Sequence, residues 1–290
     1  MSYYKILGFQ KEPFSTSPDP DFFYLSKGHD AALTSILIEL RLKRGLSVIL
    51  GDVGTGKTTL SRKLIQELKS REDCVFHMIL DPSIDDPASF LSYVAKNFGI
   101  SIPPSSEPHT TVVLRESLER FLFQKAAVEN KTVILIVDEA QKMTDSSLEI
   151  LRVLLNYETN DFKLLQLVLL GQIELQAKIK QIDNFFDRIS YKGKLEALDY
   201  NEMKEMILFR MRQANYVSDL DLFLDEALKA IYNYTSGYPR QVTMLCHRAL
   251  KHLLLQNKFV IDGHLIDDLI KEDVRTGWQR MSPLLQKSSC

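Results

Sequence analysis

Gly51-Asp52-Val53-Gly54-Thr55-Gly56-Lys57-Thr58 combines flexible backbone, one cation and one hydroxyl within eight residues. The spacing is that of a phosphate-binding P-loop, G-x-x-x-x-G-K-[ST]. Its glycines let the chain curl until backbone amides face phosphate oxygens, and a following helix adds the positive end of its dipole. Lys57 would reach the β- and γ-phosphates of ATP, and the Thr58 hydroxyl would hold Mg²⁺. Thr59, the next residue, joins the loop as a candidate nucleotide contact. The bland alternative is a glycine turn with an incidental lysine. The loop's place between a strand-like apolar run, Ser47 to Leu50, and an amphipathic helix, Thr58 to Leu68, is what the phosphate chemistry requires.

A second constellation closes another apolar run, Val133-Ile134-Leu135-Ile136-Val137-Asp138-Glu139. A buried strand would deliver Asp138 to the magnesium shell at its carboxyl end, where ligands bind in open α/β sheets. Glu139 would polarise the attacking water as general base. An acidic pair in this position can also cap a helix; the accompanying P-loop favours the nucleotide reading. Leu164 to Leu170 ends in Gly171-Gln172, which makes Gln172 the candidate γ-phosphate sensor, against a plain loop or helix-start residue. Arg188 precedes the last strand and Arg240 opens a helix after Gly237-Tyr238-Pro239. Each is either a solvated surface arginine or a source of charge for the γ-phosphate, Arg240 within its own chain and Arg188 across a subunit boundary.

Strands and helices must position these groups, and the chain alternates accordingly. A proline- and aromatic-rich arm (Phe9, Pro13, Phe14, Pro18, Pro20, Phe22) reads as irregular chain laid on the body. Helical periodicity follows from Gly28 to Lys43, then strands near Ser47, Cys74, Thr132, Leu164 and Tyr191 with helices between, including one from Thr111 to Val128. Continuous apolar strands predict a parallel sheet covered on both faces. After Asp199 only helical periodicity remains. The expected organisation is an arm and first helix over 1–45, an αβα core over 46–197, a helical module over 198–276 and a loose tail over 277–290; the proline-bearing stretch Ser101 to His109 is read as a loop.

Bulk properties narrow the classes. Of 290 residues, 45% are hydrophobic and 26% charged, with a formal net charge of −2, so no overall positive field drives the chain onto nucleic acid or lipid. Three scattered cysteines suggest neither a zinc site nor a disulfide framework and fit a reducing compartment. Met1 to Gln10 lacks the pattern of a signal peptide, and no apolar run approaches the roughly 20 residues a membrane helix needs. The expectation is a soluble, cytoplasmic protein without direct membrane insertion, at most peripheral at the inner membrane through a partner.

The residues also resemble a known family. Tyr4 to Phe9, Pro13-Phe14-Ser15, Phe22 to Ser26, His29 to Leu33, the P-loop, Val137 to Gln141, Leu154 to Glu158, Leu169 to Gln172, Arg188-Ile189 and Gly237 to Gln241 look, in order, like ExeA-type ATPases, the general secretion pathway A proteins of the AAA+ superfamily. The resemblance implies an AAA+ P-loop fold: a parallel five-stranded sheet of order 5-1-4-3-2 between helices, with a C-terminal helical lid. It implies Gln172 as sensor 1, Arg188 as a trans-acting finger and Arg240 as sensor 2, with Tyr24 to His29 and the arm walling the adenine. Secretion members carry a transmembrane helix and a peptidoglycan-binding domain after the ATPase, so the resemblance is to a short form. Ile173 stands where relatives have proline and Asp187 where glutamine is common; neither change removes a catalytic group.

Three functions fit this reading. The first is an ATP-hydrolysing enzyme that acts as a ring or filament to assemble secretion, pilus or export machinery. The second is an ATP-dependent DNA-binding regulator of transposition partnered with a transposase, with Arg41, Lys43, Arg44, Arg62, Lys63 and the Lys178–Lys180 pair as candidate phosphate contacts or plain solvated faces. The third is a nucleotide-gated adaptor with little turnover.

Overall fold

A computed structural model describes residues 3–17, 19–100, 110–216 and 221–277. Pro18, the expected loop Ser101 to His109 and the expected tail beyond Gly277 lie outside the described residues. In chain order the elements are α1 (Tyr3–Ile6), α2 (Lys27–Arg41), β1 (Leu46–Gly51), α3 (Lys57–Lys69), β2 (Cys74–Ile79), α4 (Pro87–Asn97), α5 (Thr111–Leu122), β3 (Thr132–Val137), α6 (Asp145–Leu154), β4 (Leu165–Gly171), α7 (Glu174–Gln181), β5 (Ile189–Leu195), α8 (Tyr200–Gln213), α9 (Asp225–Thr235), α10 (Pro239–Leu255) and α11 (Gly263–Thr276). Contacts divide the chain into two units. Lys27–Val53 with Lys57–Leu195 form one; the described residues of Met1–Ser26, Gly54–Gly56 and Glu196–Cys290 form the other.

The first unit is a five-stranded parallel sheet of order β2-β3-β4-β1-β5, the expected 5-1-4-3-2 read from the other edge. β3 and β4, at the centre, are buried along their whole length. That is why they appear in the sequence as unbroken apolar runs rather than as alternating patterns. Helices supply the covering apolar faces, among them Leu91 and Val94 of α4, Leu114 and Leu118 of α5, and Leu148 and Leu151 of α6. The edge strand β5 alternates buried and exposed residues. It begins two residues earlier than the expected Tyr191, because a register shift sets Ser190 out of line and its hydroxyl donates to the Leu46 carbonyl at 2.9 Å. The expected single helix to Val128 is also interrupted: α5 gives way at Phe123 to a π-helical turn, Phe123–Val128.

The second unit packs α8 to α11 around Met203, Ile207, Ile231, Val242 and Leu250. Phe9, Phe14 and Phe22 of the arm are buried in this same core. Arg210 fixes the arm's path by donating to the carbonyls of Pro13 (2.8 Å), Ser15 (2.8 Å) and Phe22 (3.2 Å). Burial lowers this guanidinium's pKa to about 10. Gly237 is obligatory before α10. Its φ of +75° suits glycine, and a Cβ there would lie 2.0 Å from the Leu198 carbonyl oxygen.

Candidate functional site

β1 ends at Gly51 and α3 begins at Lys57, so the octapeptide forms the strand-to-helix turn its chemistry needs. Gly54 and Gly56 take φ of +89° and +99°, the left-handed region that makes the curl inexpensive only for glycine. Thr55 is buried at the turn, Asp52 and Val53 are exposed, and Thr58 and Thr59 are half-buried on the first turn of α3. Lys57 is 5% exposed, and its Nζ donates to the carbonyls of Gly51 (2.6 Å) and Asp52 (2.9 Å). Burial pushes the ammonium's pKa down, and the charges of Glu139, Asp138, Asp52 and Glu174 oppose that shift. A cation is thus held at the helix N-terminus where anions bind.

β3 carries Asp138 to its carboxyl end beside this loop. The Asp138 side chain is 1% exposed and is hydrogen-bonded by the Thr58 side chain. It also accepts from the Glu139 amide at 2.9 Å. Burial raises the Asp138 pKa, with the Thr58 and Glu139 hydrogen bonds pulling the other way. A buried carboxylate paired with a hydroxyl is a hard oxygen set that fits Mg²⁺, an ion that keeps water and phosphate among its ligands. Glu139 adopts φ 51°, ψ 34°, and its side chain makes no capping hydrogen bond to the 3₁₀ turn that follows. A left-handed glutamate that does not cap is poorly explained as a helix-start residue, and strain of this kind gathers at functional sites.

Gln172 follows β4, the strand adjacent to β3. Its backbone amide donates to Gln141 Oε1 at 3.0 Å. Gln141 was visible in the sequence only as part of a family likeness; nothing in its type or spacing marks it. Arg188 lies at the other end of the sheet. Ile189 pairs with Leu46 and Leu195 with Gly51, so five strand steps of about 3.3 Å put Arg188 about 17 Å from its own P-loop. The Arg188 guanidinium donates to the Arg152 carbonyl at 3.1 Å and to the Asn156 side chain. His29 is buried on α2. In the helical unit, Tyr24 is half-buried beside Phe209, with ring centroids 6.0 Å apart. Gly54–Gly56 group with that unit, in which the Arg240 amide donates to the Gly54 carbonyl at 3.3 Å. An added Gly54 Cβ would lie 3.0 Å from Arg240 Cβ, which gives that glycine a second reason to stay small.

Of the basic residues that might follow a DNA backbone, several are engaged within the chain. Lys63 pairs with Glu67 at 3.0 Å, Lys178 donates to the carbonyls of Gln141 and Met143 at 2.8 Å each, and Lys180 lies over the Phe186 ring. Arg41 and Lys43 line an open cleft with Arg71, where Arg71 is paired with Asp73 at 2.7 Å.

Fold and site geometry together define a P-loop protein of the AAA+ fold. Residues 40–179 match the AAA domain family. The chain is similar in particular to the general secretion pathway protein A of Aeromonas hydrophila, 33% identical over 250 residues, covering 86% of this chain and 44% of that protein. It thus spans less than half the length of that relative. Among solved structures, Cdc6p of Pyrobaculum aerophilum shares the fold with a TM-score of 0.64 at 18% identity, covering 86% of this chain and 67% of that one. The Aeropyrum pernix ORC2 protein, in ADPNP–ADP complexes, gives a TM-score of 0.58 at 16% identity, covering 84% and 66%. Among the described residues no helix is long and apolar enough to cross a membrane.

Proposed function

We propose that the chain binds Mg²⁺–ATP at the 51–58 loop and hydrolyses it, using the cycle to assemble or remodel a partner protein complex. The observation that carries this is the convergence of Lys57, Thr58, Asp138 and Glu139, drawn from the start of α3 and the end of β3. Backbone amides of the curled loop and Lys57 bind the phosphates, with Thr59 beside them. Thr58 and Asp138 would hold Mg²⁺, which when bound neutralises charge on the phosphate oxygens. Glu139 takes a proton from the attacking water. Gln172 reads the γ-phosphate and Arg240 contributes from the helical unit. Arg188 is about 17 Å from its own loop, so any catalytic role must be exercised on a neighbouring copy in a homo-oligomer. The secretion relative supports a protein partner in a secretion system, with pilus and export machinery as related alternatives.

The deciding experiment compares phosphate release and nucleotide binding in the wild type and Glu139→Gln. The variant should bind a fluorescent ATP analogue with unchanged affinity while turnover falls by about 10² to 10⁴-fold, the ordinary worth of a positioned general base. Wild-type rates in the variant would remove Glu139 from that role.

A further inference from the structure

Beyond the groups that would touch nucleotide, one side chain joins the base to the sensor. Gln141 Nε2 donates to Glu139 Oε2 at 2.8 Å, and its Oε1 accepts the Gln172 amide at 3.0 Å. The amide's orientation is determined by these partners. Turned over, it would set NH₂ against N–H and carbonyl oxygen against carboxylate, losing both bonds. The Gln141 backbone is anchored as well: Lys178 Nζ donates to its carbonyl and to that of Met143, each at 2.8 Å. Space for the bridge comes from Gly171, where an added Cβ would stand 3.2 Å from Gln141 Oε1 and 2.7 Å from Leu175 Cδ2. The bridge spans β3 and β4, neighbours in the sheet although Gln141 and Gln172 are 31 residues apart.

We propose that Gln141 is a positioning residue that sets the Glu139 carboxylate against the carboxyl end of β4, so that base and γ-phosphate sensor move as one element. This rests on Glu139 being the base. A displacement of the Gln172 peptide on γ-phosphate binding is passed through one rigid planar amide to the carboxylate, which otherwise has free side-chain torsions. Glu139 already has a left-handed backbone, so its carboxylate direction depends on this contact more than on local chain preference.

Two variants separate the halves of the bridge. Gln141→Leu removes both hydrogen bonds. Gln141→Glu keeps an acceptor for the Gln172 amide and opposes Glu139 with like charge. At saturating Mg²⁺–ATP both should lose about 10- to 100-fold in kcat, the worth of one hydrogen bond to a charged group. Affinity for a fluorescent ATP analogue should stay within about threefold of wild type, since Gln141 touches neither the 51–58 loop nor Lys57 and meets Gln172 only at its backbone amide. Amide exchange at Gln172, read by NMR, should be roughly tenfold or more faster in Gln141→Leu and unchanged in Gln141→Glu. In a Glu139→Gln background, Gln141→Leu should add no further loss. Wild-type kcat in Gln141→Leu beside a dead Glu139→Gln overturns the proposal, as does unchanged Gln172 exchange. Wild-type turnover in Glu139→Gln itself would instead sink the underlying base assignment, and the coupling of that carboxylate to catalysis with it. If Gln141→Leu misfolds and loses nucleotide binding, the nearly isosteric Gln141→Glu decides alone: full activity there refutes the positioning role.

Discussion

Replacing Lys57 with methionine tests the phosphate site where its energetics can be followed most closely. Methionine keeps most of the buried stem and removes only the charge. Without nucleotide, two consequences oppose each other. The Gly51 and Asp52 carbonyls lose donors now at 2.6 and 2.9 Å, and Asp138 and Glu139 lose a neighbouring cation. Against this, a 5%-exposed ammonium no longer has to be held out of water. Each bond from this charged donor is worth about 1.5 to 3 kcal/mol net, and release of the buried charge offsets part of it, so the free protein should shift by well under about 6 kcal/mol in urea unfolding. With nucleotide the balance is one-sided. Two hydrogen bonds from the ammonium to phosphate oxygens are worth about 3 to 6 kcal/mol, or about 10² to 10⁴-fold in Kd. The assay is titration with a fluorescent ATP analogue beside thermal melts. Nucleotide at about 100 times the wild-type Kd should stabilise the wild type by about 2.7 kcal/mol and the variant hardly at all. A variant Kd within about threefold of wild type, in a protein that melts normally, would refute the assignment of this loop as the phosphate cradle.

Asp138 and Arg188 give two further expectations. Burial raises the Asp138 pKa in the folded state above its ordinary 3.8. The fold therefore favours its protonated form, and this contribution to stability is present below the ordinary value and lost as pH rises through the raised one. Asp138→Asn should accordingly gain on the nucleotide-free wild type as pH is raised from about 3.8 toward neutrality, by a few degrees in Tm, while losing magnesium-dependent nucleotide binding; a pH-independent gap between the two proteins would contradict the burial argument. Arg188→Ala should lose about 10³-fold or more in turnover and regain it when mixed with a Lys57 variant whose own Arg188 is intact. Failure of the mixture under conditions where mixed oligomers form, measured by phosphate release, would end the trans assignment.

How much could be read in advance depends on how local the physics is. The 51–58 loop is contiguous, a backbone turn of eight residues between β1 and α3, so type and spacing sufficed to predict its geometry. β1, β3 and β4 are buried on both faces, which writes them into the sequence as continuous apolar runs. Sheet order came from family likeness, since no periodicity within a strand says which strand lies beside it.

Other features depend on contacts between distant residues. Lys178 looked like a solvated basic residue, yet it serves two backbone carbonyls of the Glu139 turn. The arm's prolines suggested irregular chain, but not that Phe9, Phe14 and Phe22 would complete the core of the helical unit beside a half-buried Arg210. Ser190 gave no sign that a register shift would start β5 two residues early. Motif and spacing predicted the curled loop after β1 and the carboxylates that stand near Lys57. Only tertiary structure, by laying β3 beside β4, decided that Gln141 would link Glu139 to Gln172, because a hydrogen-bonded bridge between strands leaves no pattern in either strand alone.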